Sequence, residues 1–328
     1  MKLSNSSKIE IGIVGTGYVA QKRVAAIQTD DRARVIAFTG NTPEKIQAFA
    51  RNYGIDPIDS WQQLVAKKEI DLIIVSSINR DRGAIVKAAL EADKHVITEY
   101  PLALNAKQAE ELIALAAAQN KLLHIEHIEL LGGLHRAIGR YLPEIGEVFY
   151  ARYTTISPKH PAPLNWTYNY QMYGFPLCAA LSRIHRFTDL FGKVASIAAK
   201  SRFWDAPASG YYTACLCEAQ LNFSNGLIAN ITYGKGDVFW QSYRDFEILG
   251  DRGSLIFRGD KGILIQSDGT TAIELESRRG LLAKDTLMAL DCLLEGNPLY
   301  VKPSSSLYAL QIAEAAALSV DRGETIDL

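Results

Sequence analysis

Cysteine is scarce in this chain and is not arranged for metal binding or for a disulfide framework. The four cysteines are at positions 178, 215, 217 and 292, and no two of them form a C-x-x-C pair. Cys215 and Cys217 are two residues apart in a predicted strand, so they share a face and are expected to pack as small apolar residues. This usage fits a reducing compartment and predicts a cytoplasmic protein.

The chain also lacks a strong net charge and long hydrophobic runs. The formal net charge of −1 gives no reason to expect nucleic acid or a membrane surface as a partner. No apolar run approaches the length of a membrane span, and the N-terminal segment 1–7 is too polar for a signal peptide. The 328 residues, 48% of them hydrophobic and 22% charged, suit a globular protein of two domains or one large α/β domain.

A glycine turn follows the first apolar stretch. Residues 9–14 form a β-branched run, and G-x-G-x-x-A follows at Gly15, Gly17 and Ala20, before a helix-compatible segment. In this context the first glycine permits a tight turn, the second lets backbone approach a pyrophosphate, and the alanine lets the helix pack closely on the strand. The pattern predicts a dinucleotide site at the helix N-terminus. The expected phosphate-binding residues are Gly15, Thr16, Gly17, Tyr18 and Val19.

The end of the next predicted strand, 33–39, indicates which dinucleotide binds. NAD-specific sites carry Asp or Glu at this point to hold the ribose 2′-hydroxyl. This chain has Gly40, Asn41 and Thr42 instead, with Lys45 one turn further along. Hydrogen-bonding side chains and a cation, without a carboxylate, suit a 2′-phosphate. We therefore predict that the cofactor is NADPH, with NADH as a poorer alternative.

Strands and helices alternate over about the first 125 residues. The predicted strands are 33–39, 71–77, 95–99 and 122–126, and the predicted helices between them are 43–53, 82–92 and 105–119. This alternation predicts a doubly wound parallel Rossmann sheet. Ligands bind at the carboxyl ends of such strands. Ser76, Glu99 and Tyr100 lie at these ends and complete the predicted cofactor-binding set.

The second half of the chain is rich in strands. The predicted strands are 147–156, 194–205, 214–223, 227–235, 245–249 and 254–258, and the predicted helices are 177–191, 283–295 and 304–320. The predicted fold class is α/β: an N-terminal Rossmann sheet with a C-terminal α+β domain on a large, mainly antiparallel sheet. We place the dinucleotide-binding domain at 1–128 and the substrate domain at 129–328. Packing of the C-terminal helix back against the first domain is left open.

The motif Glu99-Tyr100-Pro101, together with the glycine turn, carries a family resemblance. The chain resembles the glucose–fructose oxidoreductase/inositol dehydrogenase (Gfo/Idh/MocA) family, whose members have a nucleotide domain, an E-K-P motif after the fifth strand and a sheet domain with the substrate residues. The likeness covers essentially the whole chain, including segments 88–96 and 323–326. The family's catalytic lysine is Tyr100 here, which argues against alcohol oxidation because that reaction needs a base.

Two further stretches resemble the bilin-reducing members of this family. They are Leu123–Leu131, with the sequence LHIEHIELL, and the helix motif around Ser182-Arg183 and Leu190-Phe191-Gly192. This resemblance implies NADPH-dependent reduction of biliverdin to bilirubin, with hydride added to the central methine carbon. The implied partner is a small linear tetrapyrrole, bound by a monomer or homodimer. Two alternatives stay open: a sugar or polyol dehydrogenase with an altered base, and a non-catalytic NADPH- and bilin-binding sensor.

The predicted helix 177–191 carries the main substrate candidates. Arg183 and Arg186 are three residues apart and therefore neighbours on a face away from its apolar stripe. They could form a solvated pair or a salt bridge to Asp189. A bilin with two propionates favours a binding role for Arg183, because guanidinium groups bind carboxylates and stack on flat rings. Arginine is a poor general acid but a good electrostatic stabiliser, so we predict that Arg183 holds the bilin and stabilises the charge that hydride delivers.

The remaining site residues are assigned by position. Tyr100 is a candidate proton donor, and Glu126 and His127 follow a strand end and are expected below the nicotinamide. The predicted catalytic residues are Arg183, Tyr100 and Glu126, and the predicted substrate-binding residues are Arg183, Arg244, Arg186, Lys235 and His127. The spacing of His124, Glu126, His127 and Glu129 is not that of H-E-x-x-H, so no metal is predicted. The aromatic segment 166–173 either covers a flat ligand or packs as a loop.

Overall fold

The computed structural model describes residues 8–328, so the polar segment 1–7, to which the signal-peptide prediction refers, lies outside the described residues. The strands are β1 Ile9–Val14, β2 Ala33–Thr39, β3 Asp56–Pro57, β4 Leu72–Val75, β5 His95–Thr98, β6 Leu123–Ile125, β7 Val148–Pro158, β8 Val194–Asp205, β9 Tyr212–Phe223, β10 Ile228–Gly236, β11 Tyr243–Gly250, β12 Gly253–Arg258, β13 Lys261–Gln266, β14 Gly269–Glu274 and β15 Ile326–Asp327. The α-helices are α1 Tyr18–Ile27, α2 Pro43–Tyr53, α3 Trp61–Ala66, α4 Asn79–Glu91, α5 Ala106–Ala118, α6 Ile128–Leu131, α7 Gly133–Tyr141, α8 Tyr170–Tyr173, α9 Pro176–Ala179, α10 Ser182–Phe191, α11 Leu281–Glu295 and α12 Pro303–Arg322.

The chain divides into two compact units. The first contains the described residues up to Ile128 together with Arg279–Leu307, and the second contains Glu129–Arg278 together with Tyr308–Leu328. The domain ranges expected from the sequence differ from this division at segment 279–307. The physical reason is apolar packing: Ala289, Leu290 and Leu293 of α11 belong to the same buried cluster as the β1 residues.

The first unit is built on a six-stranded parallel sheet. The strand order is β3-β2-β1-β4-β5-β6, and the two halves wind outward from the β1–β4 pair, which confirms the predicted Rossmann topology. All four residues of β4 are buried, as expected for a strand covered by helices on both faces.

Local capping explains where two of the helices begin and end. Asn105 accepts a 2.8 Å hydrogen bond from the Gln108 backbone amide at the start of α5, which satisfies one otherwise unpaired donor. Pro43 occupies the first turn of α2, and Gly54 ends that helix in a left-handed conformation at φ 65°. Both helices lie within one residue of the predicted ranges.

The second unit is built on a nine-stranded sheet. The order is β14-β13-β12-β11-β7-β10-β9-β8-β15. The β7–β10 pair is parallel, and the neighbouring pairs β7–β11 and β9–β10 are antiparallel, which confirms a mainly antiparallel sheet. The hairpin of β13 and β14 was not predicted, because its outer strand is polar and carries five exposed residues out of six.

The predicted helix 177–191 is wrong as a single element. The structure breaks it into α9 and α10, because Ala180 leaves the helical conformation at φ −100° and ψ 38°. Leu177, Leu181 and Ile184 are all fully buried despite the break, so packing in the core overrides the continuous helical periodicity. Among the described residues, no helix is both long enough and apolar enough to cross a bilayer.

Candidate active site

In the first unit, the glycine turn has the geometry that close approach of a ligand backbone requires. Gly15 has φ 121°, and a Cβ there would lie 2.5 Å from the carbonyl oxygen of Ser76, so only glycine fits. A Cβ at Gly17 would meet no protein atom within 4 Å, and Gly17 is the N-cap of α1. The first free backbone amides of that helix therefore lie beside an open glycine, which suits a diphosphate.

Ser76, the residue just after β4, lies beside this turn. The hydroxyl of Ser76 is buried and has no hydrogen-bond partner among the described residues, while its backbone amide donates to Val14. A buried hydroxyl without a partner is costly in a folded protein, and a polar ligand at the turn would supply one. Gly15, Gly17 and Ser76 thus fit a bound dinucleotide.

The predicted 2′-phosphate residues are on the surface. Asn41, Thr42 and Lys45 are all exposed at the start of α2, next to the carboxyl end of β2. Glu44 is the acidic residue in the first turn of α2, one position from Lys45. The described end of β2 carries no carboxylate. A ligand at this end of the strand, which we call the cofactor corner, could contact the amide of Asn41, the hydroxyl of Thr42 and the ammonium group of Lys45.

A buried ion network holds the Glu99 side chain. Arg23 of α1 is fully buried and donates to Glu99 Oε1 at 3.0 and 2.8 Å and to Asp285 Oδ2 at 2.7 Å. Asp285 Oδ1 accepts from Tyr300 and from His124 Nε2, each at 2.7 Å. Burial alone would raise the pKa of Asp285, but Arg23 and these hydrogen bonds hold it well below its usual value. The network therefore fixes the position of the Glu99 side chain just after β5.

Glu126 is buried beside two other acidic residues. Burial, followed by the nearby negative charges of Glu99 and Asp285, raises the pKa of Glu126 well above its usual value. Its Oε1 also accepts a 2.5 Å hydrogen bond from the Ile128 amide. A hydrogen bond between the Glu126 and Glu99 side chains further favours the protonated form of Glu126.

The remaining strand-end residues are stacked and bonded within the unit. The rings of Tyr100 and His127 stack with centroids 4.9 Å apart and an interplanar angle of 13°. His127 Nε2 lies 2.9 Å from the Ser306 hydroxyl, and its backbone amide donates to Tyr300. No group of three or more metal-ligating side chains occurs in residues 8–328.

In the second unit, one face of the sheet carries the predicted substrate residues. Thr155 of β7 is directly opposite Tyr233 of β10 and Arg244 of β11, so these three side chains share a face. Arg183 of α10 donates to the Thr155 hydroxyl at 3.3 Å, and its guanidinium lies 5.2 Å from the centre of the Tyr233 ring. The structure thus brings Arg183 and Arg244 together on the sheet.

Arg186 is buried and bonded differently from the predicted alternatives. It donates to Glu129 at 3.1 Å rather than to Asp189, and Asp189 instead pairs with His135 at 2.8 Å. Its Nε and Nη1 have no hydrogen-bond partner among the described residues. The two predicted possibilities for Arg186, a solvated pair with Arg183 and a salt bridge to Asp189, are therefore wrong. Tertiary packing buries this part of α10.

Glu129 lies among cations. It also accepts a hydrogen bond from Arg278, a residue that no sequence motif selected. Burial would raise the pKa of Glu129, yet Arg186, Arg278, Arg183 and Arg244 together lower it. Arg244 also pairs with the exposed Asp260 at 3.5 Å. Four guanidinium groups thus face the two carboxylates of Glu129 and Asp260, and the local balance is positive.

Lys235 of β10 is buried against aromatic rings. Its ammonium group donates to the carbonyl of Thr167 and lies 3.4 Å from the centre of the Tyr173 ring. Tyr168 and Tyr173, both in the aromatic segment 166–173, are buried. In this structure the segment packs against the sheet, which is one of the two interpretations that the sequence left open.

Sequence reasoning missed the residues that support the first unit's network. Arg23 lies 262 positions from Asp285 and still further from Tyr300. No local signal selected Arg23, because the exposed Lys22 carries the same charge beside it in α1. Nothing local distinguishes Asp285 from the other acidic residues of α11.

Comparison with known proteins agrees with this architecture. Residues 9–127 match the model described as "Oxidoreductase family, NAD-binding Rossmann fold" (GFO_IDH_MocA), and residues 143–328 match its "C-terminal alpha/beta domain". A crystal structure of biliverdin reductase from Synechocystis sp. PCC 6803, in complex with biliverdin and NADP+, is similar with a TM-score of 0.94 and 52% identity, over 95% of this chain and 99% of that one.

The more distant curated relatives include a sugar reductase and another biliverdin reductase. A dTDP-3,4-didehydro-2,6-dideoxy-alpha-D-glucose 3-reductase from Saccharopolyspora spinosa is 27% identical over 86% of this chain and 83% of its own. Biliverdin reductase A from Mus musculus is 24% identical over 61% of this chain and 63% of its own length. The family resemblance drawn from the motifs is confirmed, and the chain belongs to the Gfo/Idh/MocA family of NAD(P)-dependent oxidoreductases.

Proposed function

We propose that this protein reduces biliverdin to bilirubin with NADPH. The observation that carries the proposal is the 52% identity, over 95% of the chain, to a biliverdin reductase solved with biliverdin and NADP+. The sugar reductase among the relatives is much less similar, at 27% identity. The tyrosine at position 100, in place of a basic lysine, further supports reduction of a conjugated pigment over oxidation of an alcohol.

The first unit would bind the cofactor. NADPH, when bound, supplies a hydride ion. Gly15, Gly17 and the amide groups at the start of α1 would hold its diphosphate. The Ser76 hydroxyl, which has no partner among the described residues, would donate a hydrogen bond to the ligand. Lys45 would attract the 2′-phosphate as a point charge.

The second unit would bind the pigment. Biliverdin carries two propionate groups, and Arg183 and Arg244 offer guanidinium groups on one sheet face. Arg186 is buried behind them and bonded to Glu129, so it would act by adding positive potential rather than by direct contact. The excess of cations over Glu129 gives this face the charge that a dianionic ligand requires.

The reaction adds two electrons and two hydrogens to the pigment. Hydride forms a C–H bond at the central methine carbon, the electrons of the conjugated system move onto a pyrrole nitrogen, and that nitrogen takes up a proton. Arg183 would stabilise the negative charge in this step, and it would do so without giving up its own proton. The proton would come from water oriented by Arg183, with Tyr100 as the alternative donor.

A spectroscopic assay tests the proposal. The purified protein is mixed with biliverdin and NADPH, and the pigment spectrum is followed. Conversion of the biliverdin spectrum to that of bilirubin, with matching consumption of NADPH, is the expected result. A shifted biliverdin spectrum without turnover would instead identify a sensor. Oxidation of sugars with NADP+, with no response to biliverdin, would identify a sugar dehydrogenase.

A further inference from the structure

Lys235 has surroundings that are unusual for a ligand-binding lysine. It is 6% exposed, and its ammonium group lies 3.4, 4.7 and 5.4 Å from the ring centres of Tyr173, Tyr168 and Tyr212. The same ammonium group donates to the Thr167 carbonyl. Aromatic faces attract a desolvated cation, so this cage accounts for a buried charge that has no salt-bridge partner among the described residues.

The cage joins three parts of the second unit. Thr167, Tyr168 and Tyr173 belong to the segment 166–173, Tyr212 belongs to β9, and Lys235 belongs to β10. The Tyr212 hydroxyl donates to the same Thr167 carbonyl at 3.0 Å. A single carbonyl oxygen is therefore held by two donors from adjacent strands.

The cage also connects with Arg183. The hydroxyl groups of Tyr173 and Tyr233 are 2.9 Å apart, and the Arg183 guanidinium lies over the Tyr233 ring. The ring of Tyr173 thus contacts the Lys235 ammonium group, and its hydroxyl contacts Tyr233. We call the Tyr233 ring, over which Arg183 lies, the platform. Displacement of the segment would remove a hydrogen bond from that platform.

We propose that Lys235 is a positioning residue, whose charged amine clamps the segment 166–173 onto β9 and β10 and thereby keeps the Tyr233 platform in place for Arg183. The inference rests on the proposed function for its kinetic consequence, but the clamp itself is a property of the folded chain. It differs from the direct contact with substrate expected from the sequence.

The titration of Lys235 provides a way to open the clamp. Burial, opposed by Cys215 and assisted by Arg183, lowers the pKa of Lys235 to about 8. Burial raises the pKa of the facing groups Tyr168 and Cys215 to about 12 and about 11, and it also raises those of Tyr173, Tyr212 and Tyr233. Asp237 also faces Tyr168. As pH rises through about 8, Lys235 loses its charge before these tyrosines and Cys215 ionise, so the cation–π attraction is lost first.

Hydrogen exchange of the unliganded protein tests the clamp without any assay of activity. Lys235→Met keeps an unbranched side chain only one atom shorter and removes its charge. We expect amide exchange in segment 166–173 to become at least about tenfold faster than in wild type at pH 7, while exchange in the first unit is unchanged. Lys261→Met, at an exposed lysine of β13 in the same sheet, is the matched control and should leave the segment protected.

The wild-type protein provides a second measurement in case the variant does not fold. Between pH 7 and 9, exchange in 166–173 should rise more steeply than the intrinsic base-catalysed trend seen in β9. An unchanged segment in Lys235→Met, or a wild-type segment that follows only the intrinsic trend, would overturn the clamp. If the protein reduces biliverdin, Lys235→Met should also raise KM for biliverdin about tenfold and leave KM for NADPH unchanged. Absence of biliverdin turnover with an intact exchange effect would refute the function and not the clamp.

Discussion

The two units hold their charges in opposite ways. In the first, Arg23 is hydrogen-bonded to both Glu99 and Asp285, so each charged group of the network contacts a partner of opposite sign. In the second, the carboxylate of Glu129 faces four arginines. Balanced buried charges fix the orientation of side chains, whereas an unbalanced group of cations attracts an anion. The comparison therefore assigns support to the first cluster and binding to the second.

The strongest expected effect comes from unbalancing the first cluster. Asp285→Asn keeps the shape of the side chain and leaves Arg23 with one carboxylate fewer. Breaking a buried ion pair costs about 3–5 kcal/mol when the remaining charge has no other partner. Because Glu99 still pairs with Arg23 in this variant, we expect the free energy of unfolding to fall by about 3 kcal/mol, the lower end of that range. Denaturant unfolding measures the effect. Asp291→Asn, in the partly exposed pair with Arg32, is the control and should cost less than about 1 kcal/mol. Equal costs would contradict the distinction between the two acidic residues.

The next effect comes from removing a cation from the second cluster. Arg183→Ala should lower kcat/KM for biliverdin by about 100-fold, the size of effect seen when a charge-stabilising donor is removed. Its unfolding free energy should change little, because Arg183 is not part of a balanced network. Arg152→Ala, on the opposite face of β7 and paired with Glu247, should retain activity.

Comparison with Tyr100→Phe then distinguishes the two candidate proton donors, which are water oriented by Arg183 and the Tyr100 hydroxyl. We expect this variant to retain kcat/KM within about tenfold of wild type, which is less than one charge-assisted hydrogen bond contributes. Wild-type kcat/KM in Arg183→Ala, or a larger loss in Tyr100→Phe than in Arg183→Ala, would show that the assignment is wrong.

A smaller effect is expected at the cofactor corner. Lys45→Ala should reduce the preference for NADPH over NADH about tenfold, because one charge-assisted contact contributes about 1.5–3 kcal/mol before screening by solvent. The measurement is the ratio of kcat/KM for the two cofactors. Lys87→Ala, at an exposed lysine of α4 paired with Glu91, serves as the control. Comparable kcat/KM with NADH in the wild type would defeat the predicted preference.

The last effect is a pH dependence of stability, expected from the buried Glu126 carboxyl group of the first cluster. The folded protein raises the pKa of Glu126, mainly by burial, so this residue contributes most to stability below its unfolded pKa of about 4.5 and progressively less as pH rises. Glu126→Gln has no such proton to lose. Between about pH 5 and 7, the unfolding free energy of wild type should fall relative to that of the variant, by at most about 1.4 kcal/mol per pH unit. Parallel curves would show that Glu126 ionises normally.

Local patterns in the sequence predicted five of the six strands in the first unit's sheet and missed the two-residue β3 Asp56–Pro57. The G-x-G-x-x-A turn, the cap at Asn105, the proline that begins α2, and the alternation of strands and helices all act within about 20 residues of one another. By contrast, β14 has no apolar alternation because nearly all of its side chains are exposed. The break between α9 and α10 depends on tertiary packing around Ala180 and has no Gly or Pro to mark it.

The candidate site was predictable only where a motif or a local charge pattern existed. Arg183 and Arg244 could be selected as cations near a helix and a strand, and the structure places both beside Thr155. Arg278 and Asp285 could not, because their partners lie 149 and 262 residues away. The cage around Lys235 likewise depends on tertiary structure. The pairing of β9 with β10 and the packing of segment 166–173 bring Tyr212 and Tyr168 to a lysine that was predicted to bind the substrate directly.

The return of segment 279–307 to the first unit has a consequence for modular exchange. A fragment that stops at Ile128 would contain Arg23 without Asp285, and it would expose the apolar surface that Leu290 and Leu293 cover. Recombination at a single point would therefore produce a damaged nucleotide-binding half. A transplant that preserves the nucleotide-binding half must carry both stretches of the chain, the residues up to Ile128 and Arg279–Leu307. The two halves therefore cannot be exchanged at a single crossover, even though each has its own sheet.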